Sequence, residues 1–224
     1  ILFSSLVSVS LIASTYHAIE VLDIAIVLII LYSFPVGIAI ITFLRKEEQI
    51  NLPQWLCLII VICGLTIVVS DGTFQGNIYG FMISFISLVF MIIFMYYSSK
   101  IADQLGSQKF NLHINVWSLL FLLIAYLAFD FTVSIPSSNT GKVALFYNGL
   151  FYILSYTLFY VGSKEIGITR ASILSSTEPL FATFLALITL NQYLTFLECF
   201  GFVLVITALY GYERIKGHQP FPRK

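Results

Sequence analysis

The chain has 224 residues, of which 59% are apolar and 10% charged, with 11 Lys and Arg against 11 Asp and Glu. Its mean hydropathy is +0.96. A soluble domain carries about a quarter charged residues, so this composition excludes one, and zero net charge gives no basis for binding nucleic acid.

Other classes are excluded by what the sequence lacks. Cys57, Cys63 and Cys199 are odd in number, lie in apolar runs and have no metal-ligand spacing, so they read as packing thiols. There is no Walker-type GxxxxGK, no HExxH and no N-x-S/T acceptor, so neither a nucleotide-driven pump nor a zinc peptidase is expected. No cofactor is expected. Ile1 opens the sequence without a basic segment or small-residue cleavage site, so no signal peptide is expected either.

Eight apolar stretches are long enough to cross a bilayer core of about 30 Å as helices, near 1–19, 22–44, 53–70, 78–99, 113–133, 143–162, 169–190 and 195–213. The first carries a weak polar stripe of Ser4, Ser8 and Thr15. Between the first and second lies "HAIEVLD", where His17, Glu20 and Asp23 form a cluster of catalytic or metal-binding type. It would serve a membrane-embedded enzyme with its site at the outer surface; a solvated turn is the plainer reading. The second stretch holds Tyr32, Ser33 and Pro35. The sixth places Asn148, Tyr152, Ser155 and Tyr156 at i, i+4, i+7 and i+8, one helical face that suits either a cavity wall or helix–helix hydrogen bonding.

The seventh stretch contains "SSTEPLFATF", with Glu178 and Pro179 at the middle of a span. Its nine Leu, Ile and Phe residues contribute about −3 to −5 kcal/mol to insertion, and a mid-span acid costs about 2.5–3.5 kcal/mol. Such a span is near break-even alone, so neighbouring helices should hold it with Glu178 turned to protein or water. Pro179 lacks an N–H and crowds the carbonyl of Ser175, which Ser176, Thr177, water or a ligand would have to satisfy. A kinked mid-membrane helix with a carboxylate is how many carriers build substrate sites; a proline kink serving packing alone is the alternative. Glu178 is expected to bind substrate or carry a proton, with Ser176, Thr177, Tyr32 and Ser33 around it and Pro35 and Pro179 as the two helix kinks.

Alternating spans put Arg45, Lys46, Lys100, Lys109, Lys164, Arg170, Arg214, Lys216, Arg223 and Lys224 on one side and Lys142 on the other. The basic side should be cytoplasmic. Pro35 and Pro179 are 144 residues apart, and at that offset Ser33 meets Thr177, Glu48 meets Gln192 and Gly64 meets Ala208. The loop "RKEEQ" is basic where its mate "NQY" is not, and "HAIEVLD" lacks the basic residues of its mate "GSKEIGITR", so matching segments face opposite sides. Inversion follows if each unit has an odd number of spans. The second unit has five and the first shows three, so two further spans are expected before Ile1.

The segment "TRASILSSTEPLFATFLALITLNQYLTFLECFGFVLVITAL" resembles the second conserved block of the EamA-type transporters of the drug/metabolite transporter superfamily. "IVLIILYSFPVGIAIITFLRKEEQINLPQWLCLIIVICGL" resembles the first. The family often has an acidic residue where Gln192 stands, and Cys57 replaces the glycine seen at Gly201. The resemblance implies an all-α membrane bundle of ten spans in two inverted five-helix halves, with both termini cytoplasmic and a central cavity. Here residues 1–70 would be a truncated first repeat of three spans, 78–213 the second repeat of five, and 214–224 a cytoplasmic tail. It implies a secondary carrier that exports a small metabolite, amino acid or drug from a bacterial cytoplasm by alternating access, rather than an enzyme. Its partners would be the bilayer and a small organic substrate, with coupling to protons a possibility and no nucleic acid. A non-transporting membrane receptor is the remaining alternative.

Overall fold

In hydrocarbon, backbone groups must be satisfied within each segment, and an apolar chain meets that demand as helices. The computed structural model describes residues 1–69, 77–128, 136–189 and 195–215. Among them the chain forms ten helices and no strand: α1 (Leu2–Val21), α2 (Ile24–Tyr32), α3 (Phe34–Leu44), α4 (Leu52–Val69), α5 (Ile78–Leu105), α6 (Ser107–Ala128), α7 (Asn139–Ile166), α8 (Ile168–Ser175), α9 (Glu178–Thr189) and α10 (Phe196–Arg214). The molecule is an all-α polytopic membrane bundle. Among the described residues six segments are long and apolar enough to cross a membrane outright, including Ile26–Leu44, which runs through the break between α2 and α3. Leu52–Val68 is apolar but shorter, and the expected span at 169–190 is divided between α8 and α9. The "NQYL" connection and the tail beyond Ile215 lie outside the described residues.

The helix ends have local causes. Gly106 and Gly167 adopt φ of 88° and 87°, a conformation that side-chain-bearing residues resist, and each reverses the chain in one residue between α5 and α6 and between α7 and α8. That tight turn lets α6 start at Ser107, earlier than the apolar stretch at 113 suggests. Ser138 caps α7 through the Gly141 N–H, and Thr195 with Glu198 forms a reciprocal capping box on α10.

Both proline spans break just before their proline. Pro35 and Pro179 each occupy the second residue of the helix that follows the break, where an N–H has no intrahelical partner to lose. At the breaks a hydroxyl turns back on the preceding helix. Ser33 Oγ donates to the Ile30 carbonyl at 2.5 Å, and Thr177 Oγ1 to the Leu174 carbonyl at 2.7 Å.

Packing gathers into two clusters. One joins α1, α2, α5, α6 and α7 through residues such as Leu11, Val27, Phe94, Phe110 and Tyr160. The other joins α4, α8, α9 and α10 through Leu58, Ile173, Leu180 and Val205. α4 and α10 approach so closely that a Cβ on Gly201 would lie 2.9 Å from the Gly64 carbonyl, and one on Gly64 2.7 Å from Val205. Small residues permit such backbone contact, where dispersion replaces the hydrophobic drive that lipid cannot supply. Serines join other helices: Ser87 donates to Ser14 at 2.8 Å, and the Ser99 and Ser163 hydroxyls are 2.6 Å apart. The outer surface carries large exposed apolar side chains such as Leu119, Leu127, Phe146 and Phe196, as a lipid-facing surface should.

Candidate functional site

A cavity of about 260 Å³ lies among α1, α5, α6 and α7. Ser8 and Ile12 of α1, Phe94 of α5, Asn111, Ile114, Asn115, Ser118, Leu119 and Leu122 of α6, and Tyr152, Tyr156 and Tyr160 of α7 line it. The helical period places them: Tyr152, Tyr156 and Tyr160 recur every four residues, as do Asn111 and Asn115 with Ser118 three further on. The tyrosines form a ladder of rings. Tyr152 and Tyr156 have centroids 4.8 Å apart, Tyr156 meets Phe94 at 5.8 Å, and Tyr160 meets Phe110 edge-on at 5.2 Å. Such contacts hold aromatic side chains in fixed orientations.

The polar part of the wall is equally fixed. Asn111 Nδ2 donates to the Ile153 carbonyl and to Thr157 Oγ1, both at 2.7 Å, tying α6 to α7. Asn115 Nδ2 donates to the Asn111 carbonyl at 2.7 Å and to Asn111 Oδ1 at 2.9 Å. With its N–H groups so engaged, Asn115 has its carbonyl oxygen left to offer, an acceptor. Among the described residues no lysine or arginine lines the cavity.

Glu178 is exposed and is not a lining residue, but it lies near enough for its charge to act on the hydroxyls of Tyr156, which is, and of Tyr32. Counting along the helices shows that the three share one depth. Tyr156 lies ten residues before the end of α7, Glu178 ten after the start of α8, and Tyr32 twelve before the end of α3. At 1.5 Å per residue all three sit roughly 15–18 Å from the same end of the bundle, about half-way across the core. That end carries Arg45, Lys100, Lys164 and Arg170.

Of the other expected site residues, Ser33 and Thr177 give their hydroxyl protons to helix carbonyls at the kinks. Ser176 is fully buried, and among the described residues its hydroxyl has no hydrogen-bond partner. Asn148 and Ser155 are exposed and lie outside the cavity wall, Ser155 donating to the Tyr152 carbonyl at 2.9 Å. The polar face read from the sequence therefore splits: its tyrosines turn into the bundle and its small polar residues do not. His17 and Glu20, expected in a loop, lie exposed in the last turns of α1, 3.3 Å apart, with Tyr79 3.1 Å from His17. Among the described residues no three His, Cys, Asp or Glu side chains are grouped to hold a metal.

The stripe on α6 escaped the sequence reading because the predicted span began at 113, which put Asn111 in a loop. The i, i+4, i+7 spacing of Asn111, Asn115 and Ser118 was the signal that could have found it.

The sequence model of the EamA-like transporter family matches residues 77–212. The chain belongs to the EamA-like transporter family. This EamA chain is therefore a membrane transporter of the drug/metabolite type, and a lipid bilayer and a small-molecule substrate are its partners. It also superposes with TM-score 0.78 on a solved protein described as "Crystal structure of protein", at 14% identity, over 92% of this chain and 74% of that one. At that identity the likeness concerns the fold alone. No curated protein matches the EamA chain.

Proposed function

We propose that this chain is a gradient-driven carrier of a small neutral or cationic organic molecule with a flat apolar body. Its aromatic cavity at mid-membrane depth, free of basic residues and next to an acid, is the observation that carries this reading. Three tyrosines and a phenylalanine offer faces for stacking, and Asn115 offers an acceptor to a donor group such as an amine. An anionic substrate would meet the field of Glu178 with no cation in the wall to offset it. Ligand pockets run about 300–1,000 Å³, so a cavity of about 260 Å³, just below that range, suits a metabolite or amino-acid-sized compound better than a bulky drug.

Alternating access between two inverted halves fits the two proline spans, which break at positions 144 apart and satisfy equivalent carbonyls with equivalent hydroxyls. The basic end is assigned to the cytoplasm, with the C-terminus on that side, and export across a bacterial cytoplasmic membrane is the favoured direction. Glu178 is assigned as the group that pairs with a substrate amine or exchanges a proton for it, assisted by Tyr32 and Tyr156. In proteoliposomes containing the full-length protein, aromatic and aliphatic amines should drive counterflow. Glu178→Gln should change the pH dependence of the rate and cut the rate at least tenfold, with the protein still inserted and monodisperse. Unchanged rate and pH profile in that variant would remove Glu178 from the mechanism.

A further inference from the structure

The loop from Arg45 to Asn51, between α3 and α4, is fastened to two other parts of the bundle. Glu47 accepts from the Tyr96 hydroxyl at 2.6 Å and from Lys100 Nζ, both on α5. Its neighbour Glu48 reaches across to α8, where its carboxylate accepts from both the backbone N–H and the hydroxyl of Thr169. α8 has no side-chain cap of its own, so this carboxylate from a distant segment supplies one. Gly167 keeps the approach open: its φ is 87°, and a Cβ there would stand 3.2 Å from Glu48 Oε1. Beside the contact the Thr42 and Thr169 hydroxyls, both fully buried, lie 3.1 Å apart and join α3 to α8 directly.

These contacts lie at the basic end. There α3 packs on α8, whereas among the described residues their continuations beyond the kinks, α2 and α9, make no comparable contact. Among the described residues the two kinked spans thus meet on the basic side of their breaks and not beyond them.

We propose that Glu48 is the latch of the basic face, a positioning residue that holds α8 against α3 and must release Thr169 whenever the cavity opens to that side. The proposal rests on the transporter reading above.

Protons should bias the latch in a definite direction. Burial pushes the Glu48 carboxyl up, and Glu47 adds to this; the Thr169 hydrogen bonds and the Arg170 guanidinium oppose it without cancelling it. From α10, Tyr212 faces the same carboxylate, and Glu213 pairs with Arg170 at 3.6 Å. A group with a raised pKa in the closed form binds its proton more tightly there than when opening exposes it to water. Protonation therefore stabilises the closed form, and that stabilisation is lost as pH rises through the raised pKa. A protonated carboxyl still accepts from Thr169 through its carbonyl oxygen.

The test is solvent access. In full-length protein with its native cysteines replaced, Ser118→Cys places a reporter in the cavity wall. A membrane-impermeant thiol reagent is applied from either side, in right-side-out and inverted vesicles. The ratio of basic-face to opposite-face labelling cancels the reagent's own pH dependence. The ratio should rise with pH as the raised Glu48 carboxyl gives up its proton. Glu48→Ala should raise it several-fold at every pH. Glu48→Gln, which keeps the acceptor and loses the proton, should hold it at the low-pH level without pH dependence. Thr169→Val should raise it by less than Glu48→Ala, since the backbone N–H remains. A Glu48→Ala ratio equal to wild type, in protein that still transports, overturns the latch alone. A wild-type reporter that labels from neither side, with no substrate movement, overturns the transporter reading and the latch with it. Should Glu48→Ala fail to fold, the pH response of wild type against Glu48→Gln decides: a flat wild-type ratio overturns the proposal.

Discussion

At the residue scale the cavity depends on side chains that orient other side chains. Asn111 is buried and makes two hydrogen bonds from α6 to α7 while accepting one from Asn115. Interhelical hydrogen bonds in membranes are worth about 0.6–2 kcal/mol. The Ile153 carbonyl also accepts from Thr157 at 2.8 Å, so it keeps a partner when Asn111 is removed. Asn111→Leu should therefore lower the thermal transition by only a few degrees, yet raise the apparent KM for substrate several-fold by freeing Asn115. Thermal unfolding and uptake kinetics on one preparation would separate the two effects. An unchanged KM would place Asn115 outside the substrate's reach.

At the element scale the broken spans separate what a proline does to a fold from what it does to a motion. Pro179 sits in the first turn of α9, where its missing N–H costs nothing, and Pro35 does the same in α3. Pro179→Ala should therefore leave the thermal transition within a degree or two of wild type. It should slow transport, because the backbone across 176–178 is then free to bridge into one straight helix. The kinks were legible in the sequence because a proline in a long apolar run has few other meanings. Which faces turned inward was not. Asn148 and Ser155 share a helical stripe with Tyr152 and Tyr156, but a stripe fixes only relative angle. The rings of Phe94 and Tyr160 decide which part of it is drawn into the bundle. Glu48 was equally illegible as a functional residue: its partner Thr169 is 121 residues away, and nothing in "RKEEQ" distinguishes a solvated acid from a cap on a distant helix.

At the scale of the whole molecule the distribution of Lys and Arg carries the topology. Seven of the ten residues expected on one side lie among the described residues, at the ends of α3, α5, α7 and α10 and the starts of α6 and α8. A fluorescent protein fused to the C-terminus should be bright and alkaline phosphatase there inactive, and a fusion near Lys142 should give the opposite result. A bright reporter at Lys142 would reverse the assignment of faces.

The seam between α4 and α10, where Gly64 and Gly201 bring two backbones into contact, has a mechanical consequence. Parts that rock need one place that does not slide, and a joint with no side chain between its halves resists shear while tolerating a small rotation. The seam is thus the natural fulcrum. A disulfide across the same seam from the native Cys57 to Gly211→Cys, whose Cβ would stand 3.4 Å from the Cys57 sulfur, should be compatible with turnover, whereas one from Thr42→Cys to Thr169→Cys should arrest it until a reductant is added. Transport measured before and after reduction would tell the pivot from the jaw.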